Sequence, residues 1–446
     1  MKNKIQWPDY WTINTFYKMG NIMITPQKQI VETIRRIYQL GMTTLSGGNI
    51  SLIDDNRTIW ITPSAIDKGS LEDEDIGCIK KDNSIKGKHE PSSEYPFHQA
   101  IYKARSDIKA IIHAHPPALV SYSITRKIPD TAVFPKAREI CGEVGYAPYE
   151  LPGSIELGNI IANAFTDNNK LCVIMENHGL VVVGTSMQDA FIRLEALEQV
   201  SNTIISANNI GVSESLTNEQ FQLVQQYFDV TMPDSTCDVV QGSDEEVRND
   251  ICRIVQRACN LRILNSAFGA VSARTTANNF IITPDKCDRW KLQPEELVCI
   301  IDGKPEKGKT PDQFTALHEK IYRKYPEINA ITITFPANLM AYAITNAGLE
   351  VRTIPESWIL LQDIPKISFD AFLSDDSILI NNLSKNTPAI IISNLAFVTT
   401  GKDLLQTLDF IEVAEYSAKS CIMTGSIGDI KPLNEEQIEA LRKKFI

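Results

Sequence analysis

The sequence lacks several features, and each absence narrows the reading. No run of the 446 residues is long and apolar enough to span a bilayer. That speaks against a membrane-embedded protein. Nine cysteines stand at 78, 141, 172, 237, 252, 259, 287, 299 and 421, and no C-x-x-C pair occurs among them. An odd number of scattered thiols fits core positions in a reducing compartment better than a disulfide framework. There is no basic excess: Lys+Arg number 44 against Asp+Glu 55, a formal charge of −11. A protein that tracks a phosphate backbone needs a basic face, so no nucleic-acid partner is expected. The charge says nothing about a small pocket for a small anion. The basic start is not followed by a signal-type apolar run. The chain is therefore expected to be soluble, unexported and cytoplasmic, with no membrane partner. With 43% hydrophobic and 22% charged residues, collagen-like, coiled-coil and disordered readings fit poorly.

What is present is a diverged internal repeat. ITPSAID (Ile61 to Asp67) matches ITPDKCD (Ile282 to Asp288). GGNIS from Gly47 lies opposite FGAVS from Phe268. HQAIYKARSDIKAIIHAHPPALVSYSIT runs parallel to HEKIYRKYPEINAITITFPANLMAYAIT, and ENHGLVVVGTSMQDAF to SNLAFVTTGKDLLQTL. Order and spacing hold throughout. The predicted division is an N-terminal extension 1–24, a first copy 25–208, a linker 209–242, a second copy 243–428 and a C-terminal helix 429–446. Asn434 is the expected N-cap of that last helix. Within a copy, helical spacings such as QKQIVETIRRIYQLG alternate with β-branched runs such as NISLID, TIWITP and IKAIIHAH. This predicts a layered α/β domain, present twice.

Six histidines occur: 89, 98, 113, 115, 178 and 318. His113 and His115 form H-A-H at the end of an apolar strand. Strand side chains alternate with period two, so both imidazoles share a face. By itself H-x-H is weak, since paired histidines at strand ends are common. The second copy sharpens it. His113 becomes Ile333, His115 becomes Phe335, His178 becomes Leu395 and Glu94 becomes Phe314. Neighbouring Ile101, Tyr102 and Ala110 keep identical partners in Ile321, Tyr322 and Ala330, and His98 is retained as His318. Joint loss of four residues is what a dismantled metal site leaves behind; the alternative is independent drift at four unrelated positions. Three histidines with one further position is the pattern of a catalytic zinc site. Glu94 suits a resting fourth ligand that swings off to act as a base. Other divalent first-row metals accept the same ligand types.

A second set suits an oxyanion. Gly47 and Gly48 let backbone N–H groups converge, and Asn49 adds a side-chain donor. Ser92 and Ser93 precede a helix start, which favours an anion, and Ser64 adds a hydroxyl. Each alone is usually a turn or an N-cap. Asn49, Ser64, Ser92 and Ser93 become Ala270, Asp285, Asp312 and Gln313 in the second copy. Two carboxylates there would repel phosphate, so this loss accompanies that of the histidines.

LSGGNIS, ITPSAID, PSSEYPFH, HAHP and NHGL, in this order and spacing, resemble the class II aldolase/adducin family. The likeness covers the whole first copy, and the second copy resembles the same domain without its motifs. The resemblance implies a three-layer α/β/α domain around a mostly antiparallel sheet. It implies that His113, His115 and His178 bind zinc, that Glu94 is an acid/base touching the metal, and that Gly48, Asn49, Ser64, Ser92 and Ser93 hold phosphate. Ala65 stands where the family often has glycine. The epimerase branch usually carries Asp at the place of Glu94, and the adducin branch lacks the histidines.

The leading expectation is a zinc-dependent lyase that cleaves a small phosphorylated sugar through a metal-bound enediolate. Dehydration, decarboxylation or epimerisation of a related sugar phosphate would use the same metal and pocket. A non-catalytic, adducin-like assembly or binding protein is the alternative from another class. One departure bears on the choice. Family aldolases use a tyrosine hydroxyl, placed after the H-x-H pair, for proton transfer at the aldehyde. Here that stretch offers Val133 and Phe134, with Tyr146 and Tyr149 further on. A homo-oligomer is expected, because family members assemble with sites near subunit boundaries and the inactive copy can take a neighbour's place.

Overall fold

A computed structural model describes residues 24–229, 236–238, 244–266 and 268–446. Most of the N-terminal extension and part of the linker, as read from the sequence, lie outside these residues.

Two eight-stranded sheets form, one in each half. The first contains β1 (Asn49–Ile53), β2 (Ile59–Ile61), β3 (Gly77–Ile79), β4 (Ile85–Lys86), β5 (Ala110–Ala114), β6 (Val144–Ala147), β7 (Cys172–Met175) and β8 (Leu180–Gly184). The second contains β9 (Ala270–Arg274), β10 (Phe280–Ile282), β11 (Val298–Ile301), β12 (Lys304–Pro305), β13 (Ala330–Thr334), β14 (Lys366–Ile367), β15 (Ala389–Ile392) and β16 (Ala396–Gly401). The orders are β4-β3-β2-β1-β5-β8-β7-β6 and β12-β11-β10-β9-β13-β16-β15-β14. Among these named strands, β6 with β7 and β14 with β15 pair in parallel and the other neighbours are antiparallel. The repeat read from the sequence is therefore a repeat of topology.

Both faces of the first sheet are apolar, so both must be covered. On β5, Ile111 packs towards Phe97, Ile101 and Leu157, on the side of helices Tyr95–Ala104 and Ile155–Ala164. Ile112 points the other way, with Ile34, Leu119 and Leu194 of helices Pro26–Gln39, Pro117–Thr125 and Met187–Ala207. Strand alternation thus produces three layers. The second core is continuous with this second side of the first sheet. All nine cysteines are free thiols, eight of them buried. Among the described residues no helix is long and apolar enough to cross a membrane.

The repeat also runs past its two long helices. Helix Asn218–Phe228 follows Met187–Ala207 as helix Glu435–Phe445 follows Leu404–Thr424. Thr217 and Asn434 cap the two short helices, each in a capping box.

Candidate metal centre

β5 places His113, and the chain breaks just beyond it. His115 lies one residue past the strand, and Pro117 opens the next helix at a position where no N–H is needed. His178 sits in the tight turn between β7 and β8. Asn177 adopts φ +51° there, and the backbone N–H of His178 donates to the Ser123 hydroxyl at 2.9 Å. A Cβ at Gly179 would lie 2.7 Å from the carbonyl oxygen of Ala114 and 2.6 Å from the His115 ring, so glycine lets the turn close on β5. Glu94 stands immediately before helix Tyr95–Ala104.

These elements bring the four predicted ligands together. The ligating nitrogens of His113, His115 and His178 all lie within 4.8 Å of one another. His113 Nδ1 donates to the carbonyl oxygen of Leu180 at 2.9 Å, which leaves the Nε2 lone pair facing the cluster. His115 Nε2 is 3.1 Å from it. Glu94 Oε2 lies 3.3 Å from His113 Nε2, and Oε1 lies 3.5 Å from His178 Nε2. Burial, with His115 and His178 alongside, holds His113 well below the usual histidine value. Burial and His178 bring His115 down to about 4. Both rings are therefore neutral near pH 7, the state in which imidazole ligates metal.

The residues fit a divalent cation. Glu94 Oε1 is buried and has no hydrogen-bond partner. A buried carboxylate oxygen without a donor, facing a cluster of three imidazole rings, is costly unless a cation is shared among them.

Asn49 lies beside His113 in the β1–β5 register and is buried. Its Nδ2 donates to Glu94 Oε2 at 2.8 Å, and its Oδ1 is 2.6 Å from His98 Nε2. His98 Nδ1 is in turn 2.7 Å from the Ser51 hydroxyl. Asn49, expected as a phosphate donor, thus also holds the Glu94 carboxylate in place. Read from the sequence alone, His98 has no functional part, because the second copy keeps it as His318.

The remaining oxyanion positions gather on one edge. Gly48 has φ +67°, and a Cβ there would come within 2.7 Å of the His113 carbonyl. A bridge between Pro63 and Pro91 brings the Ser64 strand end alongside Ser92 and Ser93. The N–H of Ser92 donates to the Thr62 carbonyl at 3.1 Å. Lys68 was missed altogether. It is buried, donates from Nζ to the Pro63 carbonyl at 2.9 Å, and burial pulls its pKa down to about 8. Of the hydroxyl candidates, Tyr146 donates to Glu176 at 2.9 Å and Tyr149 is exposed. Val133 and Phe134 are buried.

The matching region of the second half is filled. Phe314, Ile333, Phe335 and Leu395 are buried apolar residues. Arg289, aligned with Lys68, is buried and donates to the carbonyls of Ser266 at 3.1 Å and Gly269 at 2.5 Å, and to Asp312 at 3.1 Å. A guanidinium–carboxylate pair occupies the counterpart of the edge that carries Ser64 and Ser92. With Ala270 in place of Asn49, His318 Nε2 is left buried without a partner.

Comparison with known proteins follows the same division. The model of the Class II Aldolase and Adducin N-terminal domain matches residues 28–205 and again 249–422. An L-fuculose phosphate aldolase of Methanococcus maripaludis is 33% identical over 185 residues, covering 41% of this chain and 97% of that protein. A 3-oxo-tetronate 4-phosphate decarboxylase of Haemophilus influenzae is 32% identical over 181 residues, covering 39% of this chain and 85% of its own. A solved L-fuculose 1-phosphate aldolase aligns with 27% identity and a TM-score of 0.42, over 47% of this chain and all of that one.

Proposed function

The chain belongs to the class II aldolase and adducin family, and from that premise we propose that its first half is a metal-dependent lyase acting on a small phosphorylated sugar. One observation carries the reading: the unpartnered Glu94 Oε1 facing His113, His115 and His178. His113, His115, His178 and Glu94 would hold the metal, and zinc is the ion we propose. When bound, it supplies Lewis-acid polarisation of a substrate oxygen and stabilises the charge that develops there. The chain's own groups do the rest. Gly48, Ser64, Ser92 and Ser93 hold the phosphate with neutral donors, and this remote binding fixes the geometry of the reacting carbons. Asn49 orients Glu94, which carries the proton at carbon. The second half, with apolar residues at every ligand position, serves as an inactive partner domain. Nine free thiols support a reducing, cytoplasmic setting. We also propose a homo-oligomer.

Carbon–carbon cleavage of the aldol type leads, on the likeness to the fuculose phosphate aldolase. Decarboxylation is the second reading, for a specific reason. Val133 and Phe134 offer no hydroxyl to carry the proton of a departing aldehyde, and departing carbon dioxide needs none. The likeness to a tetronate-phosphate decarboxylase points the same way.

The test is metal content together with turnover on a panel of sugar phosphates and 3-oxo acid phosphates. Wild type should carry about one divalent ion per chain, the number that one ligand set holds, and His113→Ala should lose both metal and turnover. A purified protein that takes up no divalent metal sinks the proposal. The panel separates the two readings.

A further inference from the structure

The two halves of the chain meet through unlike faces. The first half contributes the helical face of Pro26–Gln39 and Met187–Ala207. The second contributes the rim of its filled site. Arg36 holds both oxygens of Asp288, at 3.1 and 3.0 Å. Glu195 accepts from the N–H of Ser266 at 2.7 Å, and Gln199 donates to the Phe335 carbonyl. Arg262 stands on the same seam, just beyond helix Glu245–Asn260, with φ +59°. Its guanidinium donates to the carbonyl oxygen of Leu40, the residue that ends helix Pro26–Gln39.

Leu40 leads into the backing of the metal centre. The N–H of His115 donates to the Met42 carbonyl at 3.1 Å. After His115 the chain turns into helix Pro117–Thr125, whose N-cap, Pro116, has no side-chain acceptor. The first amides of that helix therefore need an acceptor from elsewhere. Glu198 supplies it, taking the N–H groups of Ala118 and Leu119 on its two carboxylate oxygens, each at 3.2 Å. Glu198 is buried, and a buried carboxylate stays charged only with compensation. Burial pushes it up to about 7, against which the Ala118 N–H, Asn202, the Leu119 N–H and the charge of Arg262 pull it down. The one cation in that set belongs to the second half.

The repeat shows a different solution in the second half. Glu415, at the place of Glu198, accepts from the N–H groups of Asn338 at 3.1 Å and Leu339 at 2.8 Å. The cation beside it is Lys419, one turn along its own helix. In the first half Asn202 stands at the place of Lys419, and Gly41 at the place of Arg262. Both halves cap this turn with a buried glutamate. Only the half that carries the metal ligands takes the balancing charge from across the seam.

We propose that Arg262 is a positioning residue for the metal centre: its charge on Glu198 holds the start of helix Pro117–Thr125, and through that turn the ring of His115. The second half, which has apolar residues at every ligand position, thereby acts on the site of the first half from behind and within one chain. The consequence for metal rests on the metal-dependent reading above; the brace on the turn does not.

The test uses the full-length chain and reads two quantities, neither of them turnover. The first is hydrogen exchange of segment 113–119 in the metal-free protein, followed by mass spectrometry. Arg262→Met should speed it about tenfold, the worth of one charged hydrogen bond. Arg262 is exposed, so this substitution opens no cavity. Arg262→Lys keeps the charge and should exchange like wild type. Adding Asn202→Lys to Arg262→Met places a cation where the second half has Lys419, and should restore slow exchange. The second quantity is zinc affinity, measured by competition with a chelator. Arg262→Met should weaken it about tenfold, as for residues that orient a ligand, and Asn202→Lys should recover it. Recovery without the Leu40 contact separates lost charge from lost folding. Exchange or zinc affinity unchanged in Arg262→Met, or a double variant no better than the single one, would overturn this proposal alone. A wild type that takes up no zinc would sink the lyase reading and this proposal with it.

Discussion

His98 Nε2 lies 2.6 Å from Asn49 Oδ1, and the same amide donates to Glu94 at 2.8 Å. A buried, neutral histidine thus fixes which way the asparagine points, and the asparagine fixes the carboxylate. The second half shows the link undone: Ala270 replaces Asn49, and His318 keeps only its Ser272 contact at 2.7 Å.

Asn49→Ala is expected to free Glu94 and leave His98 Nε2 without a partner. Turnover should fall by roughly tenfold to a hundredfold, with metal content unchanged. The unpaired ring nitrogen should cost about 1–3 kcal/mol of stability. The protein should still fold, because the second half already carries this defect. Unchanged kcat in the variant would remove the positioning role.

Lys68 is a buried cation on the loop that carries Ser64, at the place where Arg289 reaches Asp312 in the second half. Lys68→Met is expected to raise KM for a phosphorylated substrate about tenfold, the worth of one charged hydrogen bond, with little change in bound metal. Its pKa of about 8 sets a direction. Phosphate affinity should weaken as pH rises through that value and the ammonium loses its proton. A KM equal to wild type at pH 7 would refute this.

Acid should destabilise the fold through His98 and His318. Burial pushes both down to about 3, against 6.5 unfolded. Between these values the unfolded chain binds more protons than the folded one. Stability is therefore full above about 6.5 and is lost progressively as pH falls towards 3. Over the full range the loss is on the order of 5 kcal/mol for each histidine. Denaturant midpoints of wild type and His318→Asn, compared at pH 7 and pH 4.5, check it. The variant should lose less on acidification; equal losses would count against the mechanism.

Ala65 adopts φ +54°, a left-handed conformation that costs a residue with a Cβ roughly 1–2 kcal/mol. Ala65→Gly should stabilise the protein by about 0.5–1 kcal/mol, since the greater freedom of unfolded glycine offsets part of the relief. Thermal melting should show a small rise; a fall would mean that the methyl group packs usefully.

The sequence by itself determined the duplication, the layered α/β class and the four residues that meet around the proposed metal. Those followed from local rules. Strand alternation puts His113 and His115 on one face, and Ile333, Phe335, Leu395 and Phe314 register the joint loss against an intact core. Tertiary structure decided what depends on chain segments far apart. Asn49 reaches Glu94 and His98 only because β1 pairs with β5 beside helix Tyr95–Ala104. The burial that perturbs Lys68 and the placing of Arg289 at the aligned edge arise from packing that no local pattern records. The sequence likewise showed that two copies exist, but not that they meet through unlike faces. That depends on the three-dimensional fit of Arg36, Glu195 and Gln199 to the rim of the other half.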